Sequence, residues 1–144
     1  MLEAVGDLWS YPADYRVVTT NGVVRESTGE LIMGKGVALE ARKRFPGLPA
    51  KLGRWVTLYG SRCFLCREEG LISFPTKYHW ADLSSIQLIM ESARQIVAIA
   101  DKYDILSVAM PRPGCGNGGL TWDFVRRYLV DLDDRFTVLT PGSP

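Results

Sequence analysis

Backbone donors, more than side chains, are the groups this chain sets out for chemistry. Four glycines fall in the run Pro113-Gly114-Cys115-Gly116-Asn117-Gly118-Gly119-Leu120-Thr121-Trp122, between a strand-like stretch and an amphipathic one. Glycine turns the backbone with φ above zero and carries no Cβ to fend off a ligand, so consecutive N–H groups converge at the positive end of the helix that follows. That arrangement holds a phosphate. A shorter run of the same kind, Met33-Gly34-Lys35-Gly36-Val37, also opens a helix, and two cradles suit a diphosphate. Either loop also reads as a tight connection without a ligand. The 33–37 loop lacks the Lys-Ser/Thr ending of a P-loop. The 113–122 loop does not fit G-x-G-x-x-G with an acidic residue ~20 positions on. Neither a Walker nucleotidase nor a Rossmann dehydrogenase is indicated.

The elements that must position these loops alternate along the chain. Strand-like runs rich in Val, Ile, Leu and Phe occupy 2–5, 16–20, 62–67, 71–74, 105–110 and 136–140. Helices are expected over 36–45, where Val37, Ala41 and Phe45 recur every fourth residue, and over 121–130, which buries Val125, Leu129 and Leu132. Between them, Ile86, Ile89, Met90, Ala93, Ile96, Val97 and Ala100 form a sustained helical stripe behind Asp82 and Ser84 as candidate caps. The pattern predicts an α/β layer structure around a mostly parallel sheet, with a ligand site at the carboxyl ends of its strands.

Composition bounds the rest. The 144 residues, 47% hydrophobic and 23% charged, suit one domain over 1–140 with a flexible tail at 141–144. No apolar run approaches the ~18 residues of a membrane span, and the start of the chain, with Glu3 and Asp7, lacks the basic region of a signal peptide. A cytoplasmic monomer with no membrane partner is expected. A net charge of +1 gives no global field for nucleic acid, yet Arg42, Lys43, Arg44, Lys51 and Arg54 gather locally. They form either a solvated helix face with its following loop or a binding patch. Three cysteines fit a reducing compartment. Cys63 and Cys66 lie in a strand-like stretch where positions i and i+3 face opposite sides, which argues against chelation. With His79 the single histidine, neither a metal site nor a cofactor is expected.

In order and spacing, five stretches resemble a macrodomain, the ADP-ribose-binding α/β superfamily. They are Gly6-Asp7-Leu8, Thr20-Asn21-Gly22, Met33-Gly34-Lys35-Gly36-Val37-Ala38, Ser73-Phe74-Pro75-Thr76-Lys77-Tyr78-His79-Trp80 and the run from Pro111 to Trp122. The resemblance covers nearly the whole chain. It is most similar to the branch holding the terminal ADP-ribose protein glycohydrolase and the DNA ADP-ribosyl glycohydrolase antitoxins, and to small stand-alone bacterial and phage relatives. It implies a three-layer α/β/α fold around a mixed, mostly parallel sheet, and ADP-ribose or an ADP-ribosylated macromolecule, DNA included, as the partner.

The same resemblance assigns roles. Asp7 would accept from the adenine amino group and the Leu8 N–H would donate to the ring, or Asp7 caps a turn. Asn21 would bond the distal ribose, or serves only the Asn21-Gly22 turn. Gly34, Lys35, Gly36 and Val37 would approach that ribose and one phosphate. Gly116, Asn117, Gly118, Gly119 and Leu120 would wrap the pyrophosphate with main-chain donors. Lys77 matches a lysine that attacks the anomeric carbon of the distal ribose, chemistry that needs the free amine, which desolvation or a cationic neighbour such as Arg112 favours. A plain phosphate contact and a surface lysine are the other readings of Lys77. Two departures stand out. Leu139 and Thr140 replace an aromatic that stacks on adenine, and Gly118 replaces an acidic residue that assists hydrolysis, with Asp123 a helical turn away.

Three functions follow: a mono-ADP-ribosyl hydrolase acting on a DNA base or acidic side chain, a phosphatase for ADP-ribose 1''-phosphate, and a non-catalytic reader or sponge. The retained Lys77 favours the first. All three require that free ADP-ribose bind without metal, with an affinity on the order of micromolar, ~8 kcal/mol. Calorimetry in EDTA measures this, and silence at roughly a hundredfold higher ligand contradicts it.

Overall fold

The structure, a computed structural model, describes residues 1–142. Its strands are β1 (Leu2–Val5), β2 (Tyr15–Thr20), β3 (Phe64–Cys66), β4 (Leu71–Pro75), β5 (Val108–Pro111) and β6 (Phe136–Thr140). The helices are α1 (Gly36–Arg44), α2 (Leu48–Tyr59), α3 (Ile86–Lys102) and the short α4 (Trp122–Val125), which tightens into a 3₁₀ turn at Arg126–Tyr128. All six strands join one sheet in the order β1-β6-β5-β2-β4-β3. Only β3 runs antiparallel to its neighbour, so the sheet is mixed and mostly parallel, as expected.

Side-chain alternation along the strands fills a layer on each face. Val17, Ile72, Phe74, Val108, Met110, Phe136 and Val138 meet Ile89, Ala93 and Ile96 of α3 and Val125, Leu129 and Leu132 beyond. Their sequence neighbours Val18 and Leu71 turn the other way, onto Ala38 and Ala41 of α1 and Leu48 and Leu52 of α2. Ala109 and Leu139 close a smaller cluster with Leu8. Cys63 belongs to the first layer and Cys66 to the second, so the C-x-x-C pair is divided by the sheet.

Five local expectations change. Residues 48–59, read as a loop, form α2, with Pro49 in its first turn and Gly60 at its end. A Lys51–Glu69 ion pair at 2.8 Å accounts for one of the clustered cations there. The 105–110 strand starts only at Val108, because Ile105 donates its N–H to Ala100 and is buried under the end of α3. The 121–130 helix gives way after Val125 to i,i+3 bonds, Leu129 to Arg126 and Leu132 to Leu129. Near-eclipsed i,i+3 positions let both leucines face the core. The cap of α3 is Ser85, whose hydroxyl accepts from the Leu88 N–H at 3.3 Å, while Asp82 and Ser84 precede it. The 62–67 strand is shorter than expected, spanning Phe64–Cys66. Of the tail, Pro141 and Gly142 are exposed coil and 143–144 lie outside the described residues. Among the described residues no helix is long and apolar enough to cross a membrane.

Helix α2 tests the packing directly. It crosses the 29–31 segment so closely that a Cβ on Gly53 would overlap the Gly29 carbonyl oxygen. Helix propensity alone makes Gly53→Ala stabilising by ~1 kcal/mol, whereas overpacking costs ~1–3 kcal/mol. Backbone is the obstacle and cannot swing aside, so a lowered urea midpoint is expected; a raised one would show that α2 does not sit this close.

Candidate functional site

Because β1, β6, β5, β2 and β4 are mutually parallel, their carboxyl ends share one edge, and the chain continues there in a fixed row. Asp7 and Leu8 follow β1, the 113–122 loop follows β5, Asn21 follows β2 and Lys77 follows β4. Four strand spacings at ~4.8 Å separate the ends of this row by roughly 19 Å. A cleft of about 760 Å³ opens along its middle and β4 end. Lys77, Asn21, Gly34, Lys35, Gly36, Val37, Gly116, Asn117 and Gly118 line it, while Asp7, Leu8, Gly119 and Leu120 do not.

Asn21 works through the backbone. Its side-chain oxygen accepts from the Val23 N–H and its Nδ2 donates to the Ile32 carbonyl, both at 2.8 Å. These bonds and the Val24–Leu31 bridge close the 21–32 excursion and return the chain to the same edge at Gly34. The turn reading is therefore realised, and one N–H and one lone pair of Asn21 remain unspent. Gly36 has φ 55° and starts α1. No side chain caps that helix and its first turn holds no acidic residue. The N–H groups of Gly36, Val37 and Ala38, all lining the cleft, have no partner among the described residues, which is how a helix start presents itself to an anion.

Facing α1, the 113–122 loop closes mostly on itself. Gly118, Gly119 and Leu120 donate to Cys115, Gly116 and Gly114 at 3.4, 3.1 and 3.0 Å. Of the expected donors Gly116 to Leu120, only the Gly116 and Asn117 N–H groups stay unspent among the described residues, so this half of the cradle is narrower than the sequence suggested. The Asn117 amide nitrogen lies 3.1 Å from where a Gly36 Cβ would stand, so the two loops touch.

Lys77 bridges to the same loop. Its Nζ donates to the Asn117 carbonyl at 3.3 Å and, weakly, to the Trp80 carbonyl at 3.5 Å. Beyond it the chain arches over the cleft, tied by the Asp82 N–H to the His79 carbonyl at 3.1 Å and the Ser84 N–H to the Gly118 carbonyl at 2.9 Å. A Cβ on Gly118 would run into Ser84, and one on Gly119 would come within 2.7 Å of Leu83, so these glycines also serve the docking of the arch.

At the β1 end, Asp7 is exposed and its Oδ2 accepts from the Ser10 N–H at 3.1 Å, a turn cap that leaves Oδ1 for another donor. The Leu8 N–H has no partner among the described residues. Arg16 fixes this turn from β2, donating to the Leu8 and Tyr11 carbonyls at 2.8 and 2.6 Å. Tyr11, partly exposed, packs against the same small cluster as Leu139, where the sequence offered no aromatic. Neither residue announces itself by spacing; only the pairing of distant strands reveals them.

Charge is sorted as well. The cleft is lined by Arg25, Lys35, Lys77 and Arg112 against one carboxylate, Asp82. None of these cations joins an ion pair; those of the described residues use Lys51, Arg126, Arg135 and the amino terminus. The Ser84 hydroxyl and Arg112 Nε, both in cleft-lining residues, are buried without partners among the described residues and suit a ligand with acceptors. Among those residues no group of three or more His, Cys, Asp or Glu is placed to hold a metal ion.

Glycine loops and an uncapped helix start at the carboxyl edge of a parallel sheet define an α/β protein whose edge suits a phosphate-bearing ligand. The Macro domain family model matches residues 48–129, and the chain belongs to that family. It is 31% identical over 137 residues to a DNA ADP-ribosyl glycohydrolase of Thermus aquaticus, an alignment covering 88% of this chain and 36% of that protein. The chain thus spans about a third of that relative's length. The macrodomain of Mycobacterium tuberculosis DarG superposes with a TM-score of 0.80 at 28% identity, over 98% of this chain and 97% of that one. Thermosipho africanus DarTG in complex with ADP-ribose shares the fold with a TM-score of 0.77 at 24% identity, over 98% of this chain and 42% of that one.

The thiols report on the site. Burial pushes Cys63 and Cys66 up to about 12, leaving at pH 8 about one thiolate in ten thousand. Cys115 lines the cleft and is raised less. Iodoacetamide at pH 8 should therefore label Cys115 alone in the native protein and all three thiols in urea, read by mass spectrometry. Native labelling at Cys63 or Cys66 would contradict the packing.

Proposed function

We propose that this macrodomain binds ADP-ribose along the row from Asp7 to Lys77 and hydrolyses it from modified DNA, with Lys77 as nucleophile. In this reading residues 1–140 act as one domain, a monomer in the cytoplasm, without metal or cofactor. The observation that carries it is Lys77 Nζ, held 3.3 Å from the Asn117 carbonyl in the cleft that also holds the start of α1. Adenine takes Asp7 and Leu8, with Tyr11 beside them as the aromatic that Leu139 does not supply. The diphosphate takes the unspent N–H groups of Gly36, Val37, Gly116 and Asn117. The distal ribose then reaches Lys77.

The chemistry balances on this chain's own groups. The free Lys77 amine attacks the anomeric carbon and the bond from that carbon to the base nitrogen breaks. The bonding pair leaves with the base, which takes up the proton shed by the attacking amine. The sugar ring opens to a Schiff base on Nζ, water adds to it, and ADP-ribose leaves as Lys77 is restored. Asp82 is the carboxylate at hand for these proton transfers, a place the sequence left empty at Gly118. DNA is favoured by the relatives named DNA ADP-ribosyl glycohydrolase and by the unpaired Arg25, Lys35 and Arg112, which suit a polyanion.

Lys77→Ala should lower turnover of ADP-ribosylated DNA by at least about a hundredfold while ADP-ribose affinity stays within a few-fold, since the phosphate and adenine contacts come from other segments. Borohydride added during turnover should leave an adduct on the wild type within 73–80 and none on the variant. Equal turnover by both forms would remove the lysine mechanism. Binding by both with turnover by neither would make the protein a reader.

A further inference from the structure

Tyr78, Trp80 and Leu83 expose large apolar surface, at 62%, 47% and 72%, within six residues of chain. Such side chains are normally buried, and an exposed cluster marks a contact surface. The segment is not slack. The Gly22 N–H donates to the Tyr78 carbonyl at 3.1 Å, the Ala81 N–H to His79 Nδ1 at 3.0 Å, and the Ser84 N–H to Gly118. The His79 ring packs on the Trp80 indole with centroids 5.0 Å apart, supporting it from one side. Trp80 and Leu83 both line the cleft, and the Trp80 carbonyl is in contact with Lys77 Nζ.

Whatever departs from the carbon that Lys77 attacks leaves into the cleft that Trp80 also lines. A braced, half-exposed aromatic is a stacking platform for a planar base, and the same cleft carries cations suited to backbone phosphates. Resting on the reading of Lys77 as nucleophile toward DNA, we infer that the 78–84 arch is a nucleobase subsite, in which Trp80 stacks on the base that carries ADP-ribose. The arch then contributes to recognition of the leaving group, while ADP-ribose itself is held elsewhere.

The test separates this from the catalytic reading by measuring binding in a Lys77→Ala background. The probes are free ADP-ribose, an ADP-ribosylated single-stranded oligonucleotide, and a peptide ADP-ribosylated on glutamate. Trp80→Ala should weaken the oligonucleotide ~10–100-fold. Free ADP-ribose and the peptide should change less than about threefold, and Trp80→Phe should restore most of the loss. An ADP-ribose-induced melting shift in each variant checks its fold. Equal loss on peptide and oligonucleotide, or none on the oligonucleotide, overturns the subsite. If the wild type binds the oligonucleotide through Trp80 yet releases no ADP-ribose, the subsite stands and the hydrolase reading falls.

Discussion

Parallel pairing of β2 with both β4 and β5 is the constraint on which the site depends. Parallel strands cannot be joined by short turns, so every crossover returns through a helix or a long excursion and each strand ends on the same edge. That geometry brings Asn21, Lys77 and the 113–122 loop to one cleft although they are tens of residues apart. Pairing Val18 with Ser73 and Thr20 with Pro75 sets how far β4 carries the chain before Lys77 is released.

Once the edge exists, local backbone chemistry supplies donors suited to an anion. The start of α1 has donors and no side chain to satisfy them, and its last turn carries Arg42, Lys43 and Arg44 where the dipole is negative. The helix is thus stabilised at its far end and left open at the near one. The facing loop spends the Gly118, Gly119 and Leu120 donors on its own closure and keeps those of Gly114, Gly116 and Asn117, all in cleft-lining residues. A rigid half and a half-spent half suit a ligand whose two phosphates lie between them. The arch over the lysine is fastened to that closed loop through Ser84 and Gly118, which couples the shape of the phosphate cradle to the position of Trp80.

Charge follows the same logic of position over composition. A chain of net charge +1 places its ion pairs on Lys51, Arg126 and Arg135, away from the cleft. The cations left over include Arg25, Lys35 and Arg112 around the cleft, where a phosphate is the natural counter-charge.

The sequence made legible the α/β alternation, both glycine loops and the apolar stripe of α3, because each of these is written in local period or local steric freedom, whereas Asp7, Asn21 and Lys77 entered as candidates through the resemblance to a macrodomain. It missed α2, whose Pro49 and Gly60 were signals, because the basic residues beside them read as a solvated surface. Tertiary structure alone decided which donors of the 113–122 loop remain unspent and that Asn21 braces backbone. It also decided that Arg16 fixes the Asp7 turn and that Trp80 and Lys77 line one cleft. These depend on partners brought from other strands. A hydrogen-bonding group's availability is set by whether a distant acceptor has taken it, and no periodicity along the chain records that.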